Sequence, residues 1–431
     1  MFAAHSVRVP TLRHSCNILL ALLALMLALP LQLSAGPKKK ATTDNKAPTN
    51  FLDKLDISKI VWPQPPAIAR VKYMTYYSGE KLDLAALQPG AKKKQTWMDR
   101  LAGAQTEKEI RDEHPHFVLI EPYGMAVNSK GELFVADEKV GAIFVFNTEN
   151  KDVNMIKNGI HANFGRIIGL AIDDGDRLFV SDAKMRRVLV FSPTNEVIGQ
   201  INTGLSAPSG LAIDNDNRIL YVADVGLDQV LAYDADTLDP IRKIGTTGHN
   251  HELTTPGDFS KPIGVAVDSE GNLYVADTMN NRIEVFDADG QFIKEFGKAG
   301  DGPGYFARPK GVAIDSDDHI WVADGMQDRV QVFNKEGRLL TYLGGHGNLP
   351  GQFAALCGIT TDKKNNRVFT SEQYPGRVQQ FRYVTEAEAV AEKARRDAEL
   401  RGKRAGITPA TVETQASKQE PAVKAKDSAP Q

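Results

Sequence analysis

Six acidic residues recur at equivalent points of the chain, Asp137, Asp182, Asp224, Asp277, Asp324 and Glu372, and four of them are followed five residues later by Arg187, Arg282, Arg329 and Arg377. A circle of carboxylates suits a cation such as calcium. The same Asp-and-Arg spacing, repeated copy after copy, is also what a turn and ion-pair framework between repeated units looks like, and repetition argues for the framework. A second set of groups stands in the longest connecting segment, where His249 and His251 form an HxH pair that could ligate zinc. Two ligands are too few, since zinc takes three or four, and only His346 and His161 stand where they could add to the pair. Tyr305 and Phe306 occupy the corresponding segment between these histidines. The candidate ligand face is therefore His249, His251, Tyr305, Phe306, His346, Asp277, Arg282, Asp324 and Arg329. His249, His251 and His346 are weak metal candidates, and no residue is assigned a catalytic role. No nucleophile elbow, phosphate loop or dinucleotide fingerprint appears in strand-and-helix context.

These residues hang on a repeat. Six copies of one pattern begin PYGMAVN, IIGLAID, PSGLAID, PIGVAVD, PKGVAID and LCGITTD, with Gly124, Gly169, Gly210, Gly264, Gly311 and Gly358 in register 41 to 54 residues apart. Each is followed by an Asp/Gly/Asn turn and a second run (LFVAD, LFVSD, LYVAD, LYVAD, IWVAD, VFTSE), then a third such as RIEVF or RVQVF. Short β-branched and aromatic runs separated by such turns are antiparallel meanders. The innermost strand has least room, which accounts for Ala126, Ala171, Ala212, Ala266 and Ala313 two residues after each glycine, with Thr360 the exception. Repeats of this length and strand content predict an all-β, six-bladed β-propeller of four-stranded blades.

A fourth strand is visible in five copies, as in QFIKEFG and RLLTYLG, but the sixth runs instead into the helical TEAEAVAEKARRDAEL. A three-stranded last blade would leave an open edge. The missing strand is expected from AIARVKYMTYY, residues 67–77, pairing with the third strand of the last blade. Residues 78–117 are a connecting segment with a helix around Trp97, Met98 and Leu101. The repeats occupy 118–384, a charged helix 385–404, and a tail without apolar period, expected to be disordered, 405–431.

The pattern PxGVAVDxxGNLYVADTxNNRIxVFDxxGxFxxxFG, nearly intact over residues 262–297, resembles the NHL-repeat family. The resemblance spans about 122–383 and implies the propeller fold. It implies several functions: ligand- or protein-binding platforms, RNA-binding domains in some eukaryotic regulators, extracellular sensors, and the scaffold of peptidylglycine amidating lyase. WPQPP (62–66) followed by ARVKY also resembles exported bacterial six-bladed propellers.

The N-terminus has Arg8, Arg13 and His14, an apolar run over 18–33 and Ser34-Ala35-Gly36. This is the layout of a secretory signal over 1–36, with an uncleaved anchor as the alternative because Lys38 to Lys40 follow. A polar leader covers 37–66. Export to a periplasmic or extracellular location is expected, with membrane contact only through an uncleaved segment. The formal net charge of -2 supplies no field that recruits nucleic acid. With the leader removed, Cys357 is the lone cysteine, so stability must come from packing and closure rather than a disulfide. The sequence favours a monomeric, non-enzymatic module that binds a protein, peptide or small ligand without a cofactor. The alternative is a metal-dependent lyase or hydrolase, carrying zinc or calcium, on the same face.

Overall fold

A computed structural model describes residues 56–79, 118–246 and 255–404. The expected signal segment 1–36, the leader up to residue 55, the segment around Trp97, His249 and His251, and the tail from 405 lie outside the described residues.

Six antiparallel sheets follow one another round an axis. Blade 1 holds β3 (Pro122–Val127), β4 (Leu133–Asp137), β5 (Ala142–Phe146) and β6 (Val153–Ile156). Blades 2 to 5 repeat that order over 167–201, 208–244, 262–296 and 309–344. Blade 6 has β23 (Leu356–Asp362), β24 (Arg367–Glu372) and β25 (Arg377–Tyr383) inside, and takes its fourth strand from β2 (Val71–Tyr77). Val71 pairs with Tyr383 and Tyr73 with Phe381, and the two-residue β1 (Val61–Trp62) adds a fifth row outside β2. Alternation does the work in β2: Val71, Tyr73 and Tyr77 are buried, whereas Lys72, Met74 and Tyr76 face out. The last blade thus has no unpaired third strand, which closes the ring between the two ends of the domain.

The register glycines have a sharper reason than limited space. A Cβ on Gly124 would lie 2.1 Å from the Ile168 carbonyl oxygen, one on Gly169 2.1 Å from that of Ser209, and one on Gly358 2.1 Å from that of Tyr123. Each inner strand therefore touches the next through backbone, and the glycine is what permits that approach. The alanines two residues on are buried but less constrained. Farther out the sheets splay, and Phe144, Phe179, Tyr221, Tyr274, Trp321 and Phe369 fill the widening space, each at most 1% exposed.

One α-helix, α1 (Glu386–Arg404), follows blade 6. Thr385 and Glu388 start it with a reciprocal cap: the Glu388 N–H donates to Thr385 Oγ1 at 3.3 Å and the Thr385 N–H to Glu388 Oε2 at 3.2 Å. Ion pairs Arg70–Glu386 and Arg382–Glu388, with buried Ala389, hold its first turns against the closing strand. Among the described residues no helix is long and apolar enough to cross a membrane.

Candidate binding face

The turns between second and third strands and the loops joining blades open on one face of the ring, as the strand order requires. On this face the acidic residues are clamps. The Asp137 carboxylate accepts the Ile120 and Glu121 N–H groups at 2.6 and 3.1 Å, and the Lys139 and Val140 N–H groups at 3.0 and 2.9 Å. Asp224 does the same for Ser206, Ala207, Gly226 and Leu227, and Asp324 for Ala307, Arg308, Met326 and Gln327. These three carboxylates tie the loop arriving from the previous blade to their own turn, whereas Asp277 holds the Ser260 N–H and the Asn280 side chain, and Glu372 the Ala354 N–H and the side chains of Arg377 and Gln379. All six are fully buried, and their oxygens are spent on donors within their own blade. Burial leads the causes that raise the carboxyl pKa of Asp277 and Glu372.

The arginines do not form a uniform set. Arg282 contacts Asp277 at 3.0 Å, Glu284 at 2.9 Å and Glu295 at 2.7 Å, and Arg377 reaches Glu372 at 2.6 Å. Arg187 stands 3.8 Å from Asp182, and Arg329 lies over the Tyr342 ring, 4.9 Å from its centre. Nominating Asp277, Arg282 and Asp324 as ligand contacts needs correction on these grounds: they are 0 to 3% exposed and engaged with their own blades.

Phe306 needs the same correction. It is 0% exposed and belongs to a plug that occurs three residues before every inner strand: Leu119, Phe164, Leu205, Phe259, Phe306 and Phe353. Phe259, Phe306 and Phe353 each meet a phenylalanine of their third strand, Phe286, Phe333 and Phe381, with ring centres 5.7, 5.5 and 6.0 Å apart. They also cover Gly245, Gly297 and Gly344, where a Cβ would come within 2.6, 2.3 and 2.4 Å of the ring. In these three blades the plug closes a Pro-Gly-x-Phe turn, whose glycine N–H donates to a buried third-strand side chain. The pairs are Gly257 to Glu284 at 3.0 Å, Gly304 to Gln331 at 2.7 Å and Gly351 to Gln379 at 2.8 Å. Burial pushes the Glu284 carboxyl up to about 7, against the opposing pull of Arg282.

Two nominated residues remain on the surface. Tyr305 is 36% exposed, with the Lys298 ammonium 4.9 Å from its ring centre. His346 projects into solvent with Nδ1 2.8 Å from Asp328 Oδ2. They sit on loops entering different blades, and no contact joins them among the described residues. No three His, Cys, Asp or Glu side chains among the described residues are grouped so as to hold a metal ion.

The sequence reading missed what the clamped turns present. Met279, Met326 and Tyr374 occupy the second position after the clamp acid in blades 4, 5 and 6, exposed to 50, 62 and 62%, and Met185 is half exposed on blade 2. The signal was there as apolar residues in the turns DTMNN, DGMQD and EQYPG, where polar ones are expected. Inside this crown opens a central channel of about 320 Å³ lined by all six inner strands. The residues preceding the register glycines are Tyr123, Ile168, Ser209, Ile263, Lys310 and Cys357. Lys310 is the one cation in that ring, and its side chain lies across Gly325, where a Cβ would meet its Cε at 2.8 Å. Beside it, burial pushes the Cys357 thiol up to about 11, away from thiolate chemistry.

Residues 175–300 match the family model described as SMP-30/gluconolactonase/LRE-like region, and residues 306–333 match that for the NHL repeat. Over 97 residues the chain is 39% identical to a probable peptidyl-α-hydroxyglycine α-amidating lyase of Caenorhabditis elegans, covering 21% of this chain and 26% of that protein. Over 44 residues it is 48% identical to the protein brain tumor of Drosophila melanogaster, covering 10% and 4%. The chain thus spans about a quarter or less of the lengths of these relatives. Among solved structures, a Xanthomonas campestris gluconolactonase superposes with a TM-score of 0.49 at 16% identity, covering 72% of this chain and 98% of that one. A virginiamycin B lyase from Staphylococcus aureus gives 0.47 at 13%, covering 62% and 96%.

Proposed function

Because the chain belongs to the NHL-repeat family of six-bladed β-propellers, we propose that it is an exported binding module whose loop face holds a protein or peptide. The observation that carries this reading is the crown of Met279, Met326 and Tyr374, large apolar side chains left in solvent on the turns that follow the buried acids. Methionine and tyrosine suit a recognition surface, the first through its adaptable thioether and the second through a broad ring with a polar tip. Lys310 at the channel mouth adds one fixed cation, which favours a partner offering an acidic group beside apolar side chains. Tyr305 and His346 extend the surface outward.

Photo-crosslinking tests the reading. Benzoylphenylalanine at positions 279, 326 and 374 should capture a partner in the source cells, whereas the same group at Ser316, on the opposite face, should not. Equal capture from both faces would count against it. The likeness to an amidating lyase favours a second reading, a metal-dependent lyase on the same face, and stoichiometric zinc or calcium in the purified protein would move the assignment there.

A further inference from the structure

A second concave site lies at the other end of the strands, between blade 5, the closing strand and helix α1. It is a cleft of about 550 Å³ with Ile68, Val71, Trp321, Val332, Leu340 and Val390 in its walls. That volume suits one small molecule. Two of the wall residues have no packing role that hides them: Leu340 on the outer strand of blade 5 is 51% exposed and Val390 on α1 is 59% exposed.

One end of the cleft is polar and built. Tyr383 Oη stands 2.8 Å from Asp317 Oδ2 and 3.0 Å from His319 Nδ1. His319 Nδ1 is in turn 3.3 Å from Asp315 Oδ2, which accepts the Trp321 indole N–H at 2.8 Å. The phenol has one proton and gives it to the Asp317 carboxylate, so Nδ1 must carry the proton directed at Tyr383 and Asp315. That leaves Nε2 as the imidazole atom without an intramolecular partner among the described residues. Burial lowers the imidazole pKa, but Asp315 and then Asp317 outweigh it, so the net direction is upward and the cation is favoured. Around the rim stand Arg70, Glu386 and Lys393. Glu386 is taken up by Arg70, whereas Lys393 makes no ion pair among the described residues. Asp315 and Asp317 accompany His319, and Glu386 accompanies Arg70, so Lys393 is the rim cation without a carboxylate partner among the described residues.

We propose that this cleft binds a small amphipathic acid, its aromatic or aliphatic body between Leu340 and Val390 and its anionic group held by His319 and Lys393. The apolar walls supply the affinity and the cationic end the orientation. The site shares no residue with the loop face, so it stands whether or not that face binds a partner.

The test uses the full chain and two dyes: 8-anilinonaphthalene-1-sulfonate as the anionic probe and N-phenyl-1-naphthylamine as its neutral counterpart. The anionic dye should saturate one site. Val390→Glu, at an exposed helix position, should weaken it at least tenfold, about 1.4 kcal/mol, with the far-UV circular dichroism unchanged. Lys393→Glu should weaken the anionic dye several-fold and leave the neutral one as it was. A triple variant of the loop face, with Met279, Met326 and Tyr374 each changed to Asp, should bind the anionic dye like the parent. Non-saturating binding, an unaltered affinity in Val390→Glu, or loss of binding in the loop-face variant would overturn the site. An equal effect of Lys393→Glu on both dyes, or none on either, would overturn its preference for acids.

Discussion

Blades 4, 5 and 6 receive the chain through Pro256-Gly257, Pro303-Gly304 and Pro350-Gly351, each followed by a fully buried phenylalanine and each held by a buried third-strand side chain, Glu284, Gln331 or Gln379. Blades 1, 2 and 3 have Phe144, Leu189 and Leu231 at that third-strand position, and Leu205, the plug of blade 3, is only half-buried. In all six blades the acid accepts an N–H of the incoming loop. Only blades 4, 5 and 6 add a tie from a glycine N–H of the incoming loop to the third residue of the third strand; blades 2 and 3 reach their loops otherwise, from Arg187 to the Asn163 carbonyl and from Tyr233 to the Thr203 carbonyl. Met279, Met326 and Tyr374 all stand in the half with the glycine ties, so the crown sits beside loops fastened to a buried polar side chain.

Removing a plug breaks the comparison most directly. Phe306→Ala should cost about 3–5 kcal/mol, the range for emptying a buried phenylalanine site, while Leu205→Ala should cost about 1–2 kcal/mol because that side chain is half in solvent. Urea denaturation measures both. Equal losses would mean that the two halves fasten their loops alike.

A smaller effect is expected from the third-strand tie. Gln331→Leu keeps the volume but leaves the Gly304 N–H without its side-chain partner and the Tyr305 carbonyl with Gln327 alone, a loss of about 1–3 kcal/mol. Leu231→Met in blade 3 is the control and should cost less than about 1.5 kcal/mol. If the two variants unfold at the same urea concentration, the polar residue adds nothing that an apolar one would not.

The pH dependence gives the finest distinction. Glu284 has a folded-state pKa raised from 4.5 to about 7, so between those values the folded chain binds the proton that the unfolded chain has released. Its contribution is present below pH 4.5 and is lost as pH rises toward 7, on the order of 1–3 kcal/mol. Glu284→Gln should remove that slope, so the difference in melting temperature between variant and parent should change across this window in the variant's favour. A difference independent of pH would show that Glu284 does not titrate there.

Strand pattern made the ring and its closure legible, because alternation and turn chemistry are local and repeat six times. Counting strands was enough to look for the closing strand within residues 67–77, of which 71–77 form it. The face was legible only in part. Phe306 stands in a loop and was nominated as a ligand contact, although the same plug position three residues before each inner strand is in the sequence six times over. It went unread because burial of a loop residue depends on the neighbouring sheet, which periodicity along one strand does not report. Asp277 and Asp324 were set in the correct turns, but whether a carboxylate faces solvent or its own backbone is decided by tertiary geometry. The cleft beside α1 could not be read at all: Ile68, His319 and Val390 belong to three separate parts of the chain, and each looks ordinary where it stands.

The pairing of β2 with β25 also sets how the molecule bears load. Val71 lies opposite Tyr383, and one residue beyond them the Val384 N–H donates to the Arg70 carbonyl at 2.8 Å. Chain enters and leaves at the same end of an antiparallel pair. Once the β1 row and the contacts of α1 with residues 66–70 have given way, tension between the two ends of the protein acts along the hydrogen bonds and parts them one at a time, beginning at Arg70 and Val384, instead of shearing the whole ladder at once. If one end is tethered and the other pulled, the ring unzips at blade 6 under a low force, while the other five blades, each a continuous meander, feel none of it until that seam has opened.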